Sequence, residues 1–264
     1  MKIKCANGLR PGYHALVTAE EHPEMMGLEF GVLVLEAGQT EKYNLPQEVL
    51  FDLLSGKVEF SWDGICRTAD RKDCFHEGAN LLHVPERTEV TVRCLSERAE
   101  ITISRVENHR KFEAKFFAPE DCLEPNEQRG AGTLNECATR INRTFFTRDT
   151  RPESNLYGGE VVSYPGRWSS YPAHRHLEPE IYFYKFLPED GYGLAEYGED
   201  AYKVRNNDLM CMPAYVTHSQ TTAPGYAEFY QYMIRLQDDK DFSKETVKEL
   251  EWTIQPGAKF FPEL

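Results

Sequence analysis

GGEVVSYPGRWSSYPAHRH (158–176), EIYFYKFLPEDGYGLAEYG (180–198), NDLMCMPAYVTHSQTT (207–222) and GYAEFYQYMIRL (225–236) follow one another closely. Each is rich in β-branched, aromatic and aliphatic residues and contains or borders on Gly, Pro, Asn or Asp, the text of short strands joined by turns. An earlier block reads the same way: GLEFGVLVLEAG (27–38), EVLFDLLSGKVEFSWDG (48–64), ANLLHVP (79–85), TEVTVRCL (88–95) and AEITISRV (99–106). The blocks match in order. Gly38 stands where Gly166 stands, Glu48-Val-Leu-Phe where Glu180-Ile-Tyr-Phe stands, and Asn80-Leu-Leu-His-Val-Pro85 where Asp208-Leu-Met-Cys-Met-Pro213 stands. Such a repeat predicts an all-β chain of two tandem jelly-roll barrels, an architecture that limits exposed strand edges. The expected boundaries are a first barrel over 1–110, a polar connector over 111–154 and a second barrel over 155–264. DKDFSKETVKELEWTI (239–254) predicts a short C-terminal helix.

The 264 residues carry a formal charge of −13, which disfavours nucleic acids and anionic membrane surfaces as partners. No apolar run approaches the roughly 20 residues of a membrane span, and residues 1–10 lack the basic-then-apolar layout of a secretion signal. The seven cysteines form no CxxC pair, as expected of free thiols in a reducing cytoplasm.

The chemistry concentrates in Tyr171-Pro-Ala-His174-Arg-His176-Leu-Glu-Pro-Glu180, with His218 farther along. Histidines two apart on a strand point to one face. A carboxylate after a short turn and a third imidazole from a later strand complete a set of N and O donors for one divalent metal ion. Zn²⁺ and Mn²⁺ are the first expectations, with Fe²⁺ or Ni²⁺ as alternatives, because ligand type alone does not choose among them. Glu178 competes with Glu180. Glu180 is preferred because it opens the apolar strand EIYFYKF and matches Glu48. The first block has no histidine before Glu48, so its barrel is expected to be metal-free. His14, His22, His76, His83 and His109 read as core or surface residues.

The second block resembles the 5-deoxy-glucuronate isomerase family of inositol catabolism. The resemblance rests on RWSSYPAHRH (167–176), EIYFYKF (180–186), the 208–213 strand, His218 and PGYAEFYQYMI (224–234). It implies a bicupin that converts 5-deoxy-D-glucuronate to 2-deoxy-5-keto-D-gluconate, an aldose-to-ketose isomerisation, with His174, His176, Glu180 and His218 as metal ligands. The same residues also resemble the sister 5-keto-4-deoxyuronate isomerases of pectin breakdown. A cupin dioxygenase, a class that uses the same ligand set, and a non-catalytic sugar-binding or regulatory cupin are the alternative readings. A cytoplasmic homo-oligomer acting on a small sugar acid is the expectation.

For such a reaction, Glu178, Tyr182 and Tyr184 are the candidates for proton transfer and orientation of the substrate hydroxyls. The substrate carboxylate calls for a guanidinium, which can engage it in a bidentate pair. Arg140 and Arg235 are the candidates. Arg175, between two ligands on a strand, is expected to point away from the metal.

Overall fold

In the computed structural model, residues 1–5, 8–237, 240 and 242–262 are described. The strands of the first half are β1 (Lys2–Ile3), β2 (Gly12–Val17), β3 (Glu29–Glu36), β4 (Thr40–Asn44), β5 (Glu48–Trp62), β6 (Ile65–Arg71), β7 (Leu81–Val84), β8 (Glu89–Cys94), β9 (Arg98–Val106) and β10 (Lys115–Phe117). Those of the second half are β11 (Glu124–Arg129), β12 (Arg140–Phe146), β13 (Leu156–Ser163), β14 (Trp168–His176), β15 (Glu180–Leu187), β16 (Tyr192–Tyr197), β17 (Asp200–Arg205), β18 (Leu209–Met212), β19 (His218–Thr222), β20 (Ala227–Arg235) and β21 (Lys244–Thr246).

All pairings are antiparallel. A sheet in the order β10-β7-β5-β9-β3-β2, with β4, β6 and β8 joined through the long β5, forms the first barrel. A sheet β1-β18-β15-β20-β13-β12-β11 and a sheet β17-β16-β19-β14-β21 form the second. The chain is therefore all-β, with two tandem barrels. None of the described helices is long and apolar enough to cross a membrane.

The stretch read as a connector, 111–154, supplies strands to both barrels: β10 pairs with β7, while β11 and β12 extend the sheet of the second. β10 and β11 lie at sheet edges, where polar text meets water, whereas β12 lies between β11 and β13 and is buried over residues 142–146. β1, in turn, crosses from the first block to pair with β18. The short C-terminal helix is present as 3-10 turns at Lys248–Ile254, but the residues just before it are not helical. There β21 adds to the open edge of β14. Asp239 and Asp241 of that stretch lie outside the described residues.

Strand alternation explains the layering. In β15, Ile181 and Phe183 join Leu209 and Cys211 of β18 and Phe30, Val32 and Leu50 of the first barrel in the core between the barrels. Tyr182, Tyr184 and Phe186 turn instead into the second barrel, with Met210, Met212, Tyr230 and Ile234. The sheet is buried on both faces, so β15 and β18 read as nearly continuous apolar runs rather than as alternating ones. The seam between the barrels also holds charge. Arg71 binds both oxygens of Glu160 at 2.7 Å, Arg143 reaches Glu160 at 3.0 Å, and Gln231 donates to Asp52 at 3.0 Å. A bidentate guanidinium between barrels fixes their register as well as their distance.

Candidate metal centre

β14 and β19 lie side by side with His174 directly opposite His218. Between Ser169 and His174 the register of β14 shifts, and Ser170 adopts a left-handed φ of 54°. Such a bulge re-aims the side chains that follow it. His174, His176 and His218 each turn a ring nitrogen inward, and these atoms lie within 4.8 Å of one another. Glu180 opens β15 beside them. Its Oε2 is 3.0 Å from His176 Nε2 and 3.3 Å from His218 Nε2. All four side chains are buried.

The outward ring nitrogens are held by backbone carbonyls. His176 Nδ1 is 2.7 Å from the Glu178 carbonyl, His218 Nδ1 is 2.8 Å from that of Val216, and His174 Nδ1 is 3.2 Å from that of Ser170. A carbonyl accepts, so each Nδ1 carries a hydrogen, and Nε2 is the atom turned to the centre. This is the usual way in which a protein orients histidine ligands. His218 Nε2 is buried with no hydrogen-bond partner. Three imidazoles and a carboxylate around one point, with a buried nitrogen that lacks a hydrogen-bond partner among them, fit a divalent metal ion.

For His174 the charge state agrees. Burial, and then the neighbouring His218, push His174 down to about 3, so its imidazole is neutral. Burial alone would depress His176, but the hydrogen bond to Glu180 and its charge raise it. Burial works against the Glu180 charge, yet His176 and His218 hold its carboxyl well below the usual range.

A cavity of about 110 Å³ opens at this cluster, lined by His174, Glu180 and Tyr182 and also by Arg129, Arg140 and Lys244. Ser169 and Tyr230, hydrogen-bonded to each other, and Ser170 line it as well. Arg129 is held by Glu124 at 2.7 Å and by Glu127. Arg140 donates to the Ala138 carbonyl at 2.8 Å. Desolvation, then the guanidiniums of Arg140 and Arg129, lower the Lys244 ammonium pKa. Three cations at one wall of an otherwise acidic protein make a local anion site.

The expected site residues divide between cavity and wall. His174, Glu180, Tyr182 and Arg140 line the cavity, and His176 and His218 complete the donor cluster behind it. Tyr184 lies deeper in the barrel and donates to Gln220 at 2.5 Å. Glu178 is buried outside the cavity lining, and its role there is to hold His176 through its carbonyl. Arg235, at the end of β20, donates to the Leu236 carbonyl at 3.0 Å and also stays outside the lining. Arg175 points away to Glu245 at 2.7 Å, as alternation requires. Lys244 and Phe242 escape the sequence reading because they fall in the stretch expected to be helical. Pairing of Lys244 with His176 across β21 and β14 brings them to the site. The alternation of β20 was the available signal for Tyr230.

A family model described as KduI/IolB matches residues 6–253. The chain belongs to the KduI/IolB family. Among relatives of this KduI/IolB member, the 5-deoxy-glucuronate isomerase of Geobacillus thermodenitrificans is 27% identical over 233 residues, 79% of this chain and 81% of the relative. The 4-deoxy-L-threo-5-hexosulose-uronate ketol-isomerase of Lachnospira eligens is 24% identical over 148 residues, 54% of this chain and 53% of the relative. An IolB-like protein of Salmonella typhimurium superposes with a TM-score of 0.84 at 19% identity, over 96% of this chain and 98% of that one. Oxalate decarboxylase of Bacillus subtilis gives 0.66 at 12% identity, over 97% and 81%, and so shares the bicupin fold.

Proposed function

We propose that this KduI/IolB member is a metal-dependent aldose-ketose isomerase that converts 5-deoxy-D-glucuronate to 2-deoxy-5-keto-D-gluconate. The observation that carries the reading is the pairing of a buried three-histidine, one-glutamate cluster with a cationic wall across one small cavity. His174, His176, Glu180 and His218 would hold the ion, Zn²⁺ or Mn²⁺ first and Fe²⁺ or Ni²⁺ as alternatives. A bound divalent ion supplies Lewis-acid stabilisation of the negative charge that develops on the sugar oxygens as the proton leaves C2.

The chain's own groups account for the rest. Arg140 and Lys244, with Arg129 behind them, receive the substrate carboxylate and so set which end of the open-chain sugar faces the histidines. Tyr182, buried at the cavity wall, has its phenol held in the protonated form first by burial and then by the charge of Glu180. It therefore offers a hydrogen-bond donor to a substrate oxygen. The Ser169–Tyr230 pair orients the remaining hydroxyls. The proton lost from C2 is returned to C1 and the O2 hydroxyl proton passes to O1, so the carbonyl moves from C1 to C2 with no net gain or loss of atoms.

The similarity to the hexosulose-uronate ketol-isomerase over about half of the chain favours one second reading, isomerisation of the pectin-derived ketouronate at the same site. Both substrates are tested together by NMR in D₂O with chelated and metal-reloaded protein. Ketose formation from 5-deoxy-D-glucuronate that is abolished by chelator and restored by Zn²⁺ or Mn²⁺ is the expected result. Turnover of the ketouronate alone would transfer the assignment to the second reading. Turnover of neither would overturn both.

A further inference from the structure

Beneath the cavity floor the second barrel carries polar groups that this reaction does not touch. Glu228, on β20, is fully buried, and neither carboxyl oxygen has a hydrogen-bond partner among the described residues. Alternation puts it on the inward face with Tyr230 and Tyr232, directly opposite Ser163 of β13. Space for the carboxyl comes from Gly193 of β16: a Cβ there would stand 2.2 Å from Glu228 Oε2. The backbone at Gly193 is not left-handed, so the constraint on that position is room for the acid. Ser163 Oγ and Gln220 Nε2 are also buried without partners, while the other end of Gln220 accepts from Tyr184 at 2.5 Å.

A carboxylate sealed in a barrel with no cation beside it takes up a proton rather than remain charged. The titratable groups that face Glu228 are Tyr184 of β15 and Tyr230 of its own strand, both neutral phenols. β13, β16 and β19 bring Ser163, Gly193 and Gln220, none of which titrates. Burial alone pushes Glu228 up to about 8. The carboxyl in its acid form still needs a donor and an acceptor, as do Ser163 and the Gln220 amide. Water satisfies such mixed sets in protein interiors.

We propose that Glu228 in its acid form organises a sealed, water-completed hydrogen-bond network with Ser163, Gln220 and Tyr184, and acts through Tyr184 as a positioning residue for Tyr230, which lines the cavity. Its neutrality matters because the reaction places negative charge in that cavity. An ionised Glu228 would oppose this charge across the Tyr184 and Tyr230 rings, whose centroids are 6.1 Å apart. The positioning role rests on the isomerase reading given above; the protonation and the network do not.

Infrared spectra of the metal-loaded wild type and Glu228→Gln, titrated from about pH 6 to about pH 10, separate the two claims. The wild type should show a protonated-carboxyl band at neutral pH, absent from the variant and lost with a midpoint near about 8. Ser163→Ala should shift that band, which keeps the network testable should Glu228→Gln not fold. In turnover of 5-deoxy-D-glucuronate, kcat of the wild type should fall about tenfold through the same pH range with KM unchanged, while Glu228→Gln stays flat. Absence of the band overturns the acid form, and a band unmoved by Ser163→Ala overturns the network. Identical pH profiles overturn the positioning role. A band in a protein inactive on either uronate upholds the network and overturns the positioning role together with the isomerase reading.

Discussion

The two barrels are copies of one scaffold with opposite interiors. In the second, β14 and β19 set His174 opposite His218, and β15 sets Glu180 opposite Met212 of β18. In the first, β4 and β8 set Tyr43 opposite Val90, and β5 sets Val49 opposite Val84 of β7. The places taken by His174, His218 and Glu180 in one barrel are thus held by Tyr43, Val90 and Val49 in the other, in or against its apolar core. Glu48, which matches Glu180 in the sequence, faces the other way. It shares the face of Leu50 and Leu54 toward the seam, where it accepts from His83 at 2.7 Å, Asn108 at 2.6 Å and the Asn155 amide at 2.8 Å. Arg151 donates to His83 Nδ1 at 3.1 Å, so His83 is a neutral donor to Glu48. A displacement of one residue along a strand exchanges faces. One glutamate became part of a donor set, and the other a clamp between barrels.

Six substitutions at five positions would break or sharpen this contrast, taken in order of effect. His218→Ala should lose bound metal and more than about a hundredfold in activity, since even the outer partners of metal ligands are worth about 10- to 100-fold. Its counterpart Val90→Ala should keep metal and cost only about 2 kcal/mol of stability. Metal analysis alongside denaturant unfolding reads both, and a fully metallated His218→Ala would remove the basis of the contrast.

Glu48→Ala should lower unfolding free energy by about 3 kcal/mol, because it leaves several buried donors unsatisfied, while leaving the metal content intact. Burial raises the Glu48 pKa, but the hydrogen bond from His83, with those from Ser154 and Asn155, brings the net value below 4.5. Its stabilisation is therefore present above that pH and lost as pH falls through the folded-state value. Glu48→Gln should flatten that acid limb of the unfolding midpoint, and an unchanged limb would count against the clamp. Glu228 has the opposite sign: its folded pKa is raised from 4.5 to about 8, so its stability contribution is present below the first value and lost as pH rises through the second.

Lys244→Ala should raise KM for the uronate by about 10- to 100-fold, the worth of a charge-assisted hydrogen bond, with little change in kcat. An unchanged KM would remove Lys244 from the carboxylate site. The smallest effect is expected of Arg235→Ala, within about twofold in KM, because its guanidinium turns to backbone outside the cavity. A large rise there would return the carboxylate to the far end of β20.

What the sequence determined by itself is local in origin. The period-two alternation of apolar residues gives strands, and the repeat of strand-rich blocks gives two barrels. The single residue between His174 and His176 puts both on one face, and Glu180 and His218 could be joined to them because each begins a strand. These features need only the geometry of an extended chain. The repeat could not say which way Glu48 faces, because face depends on pairing register with β7 and β9, and a match of letters is blind to a one-residue displacement. Nor could it place Lys244, whose neighbours Glu245, Lys248, Glu249 and Glu251 suggest a helix until the open edge of β14 recruits the segment as β21. The polar residues of β11 concealed an edge strand in the same way. Hydrogen bonding to distant strands, and the side of a sheet that a neighbouring barrel covers, decided those points, and both are set only when the whole chain is folded.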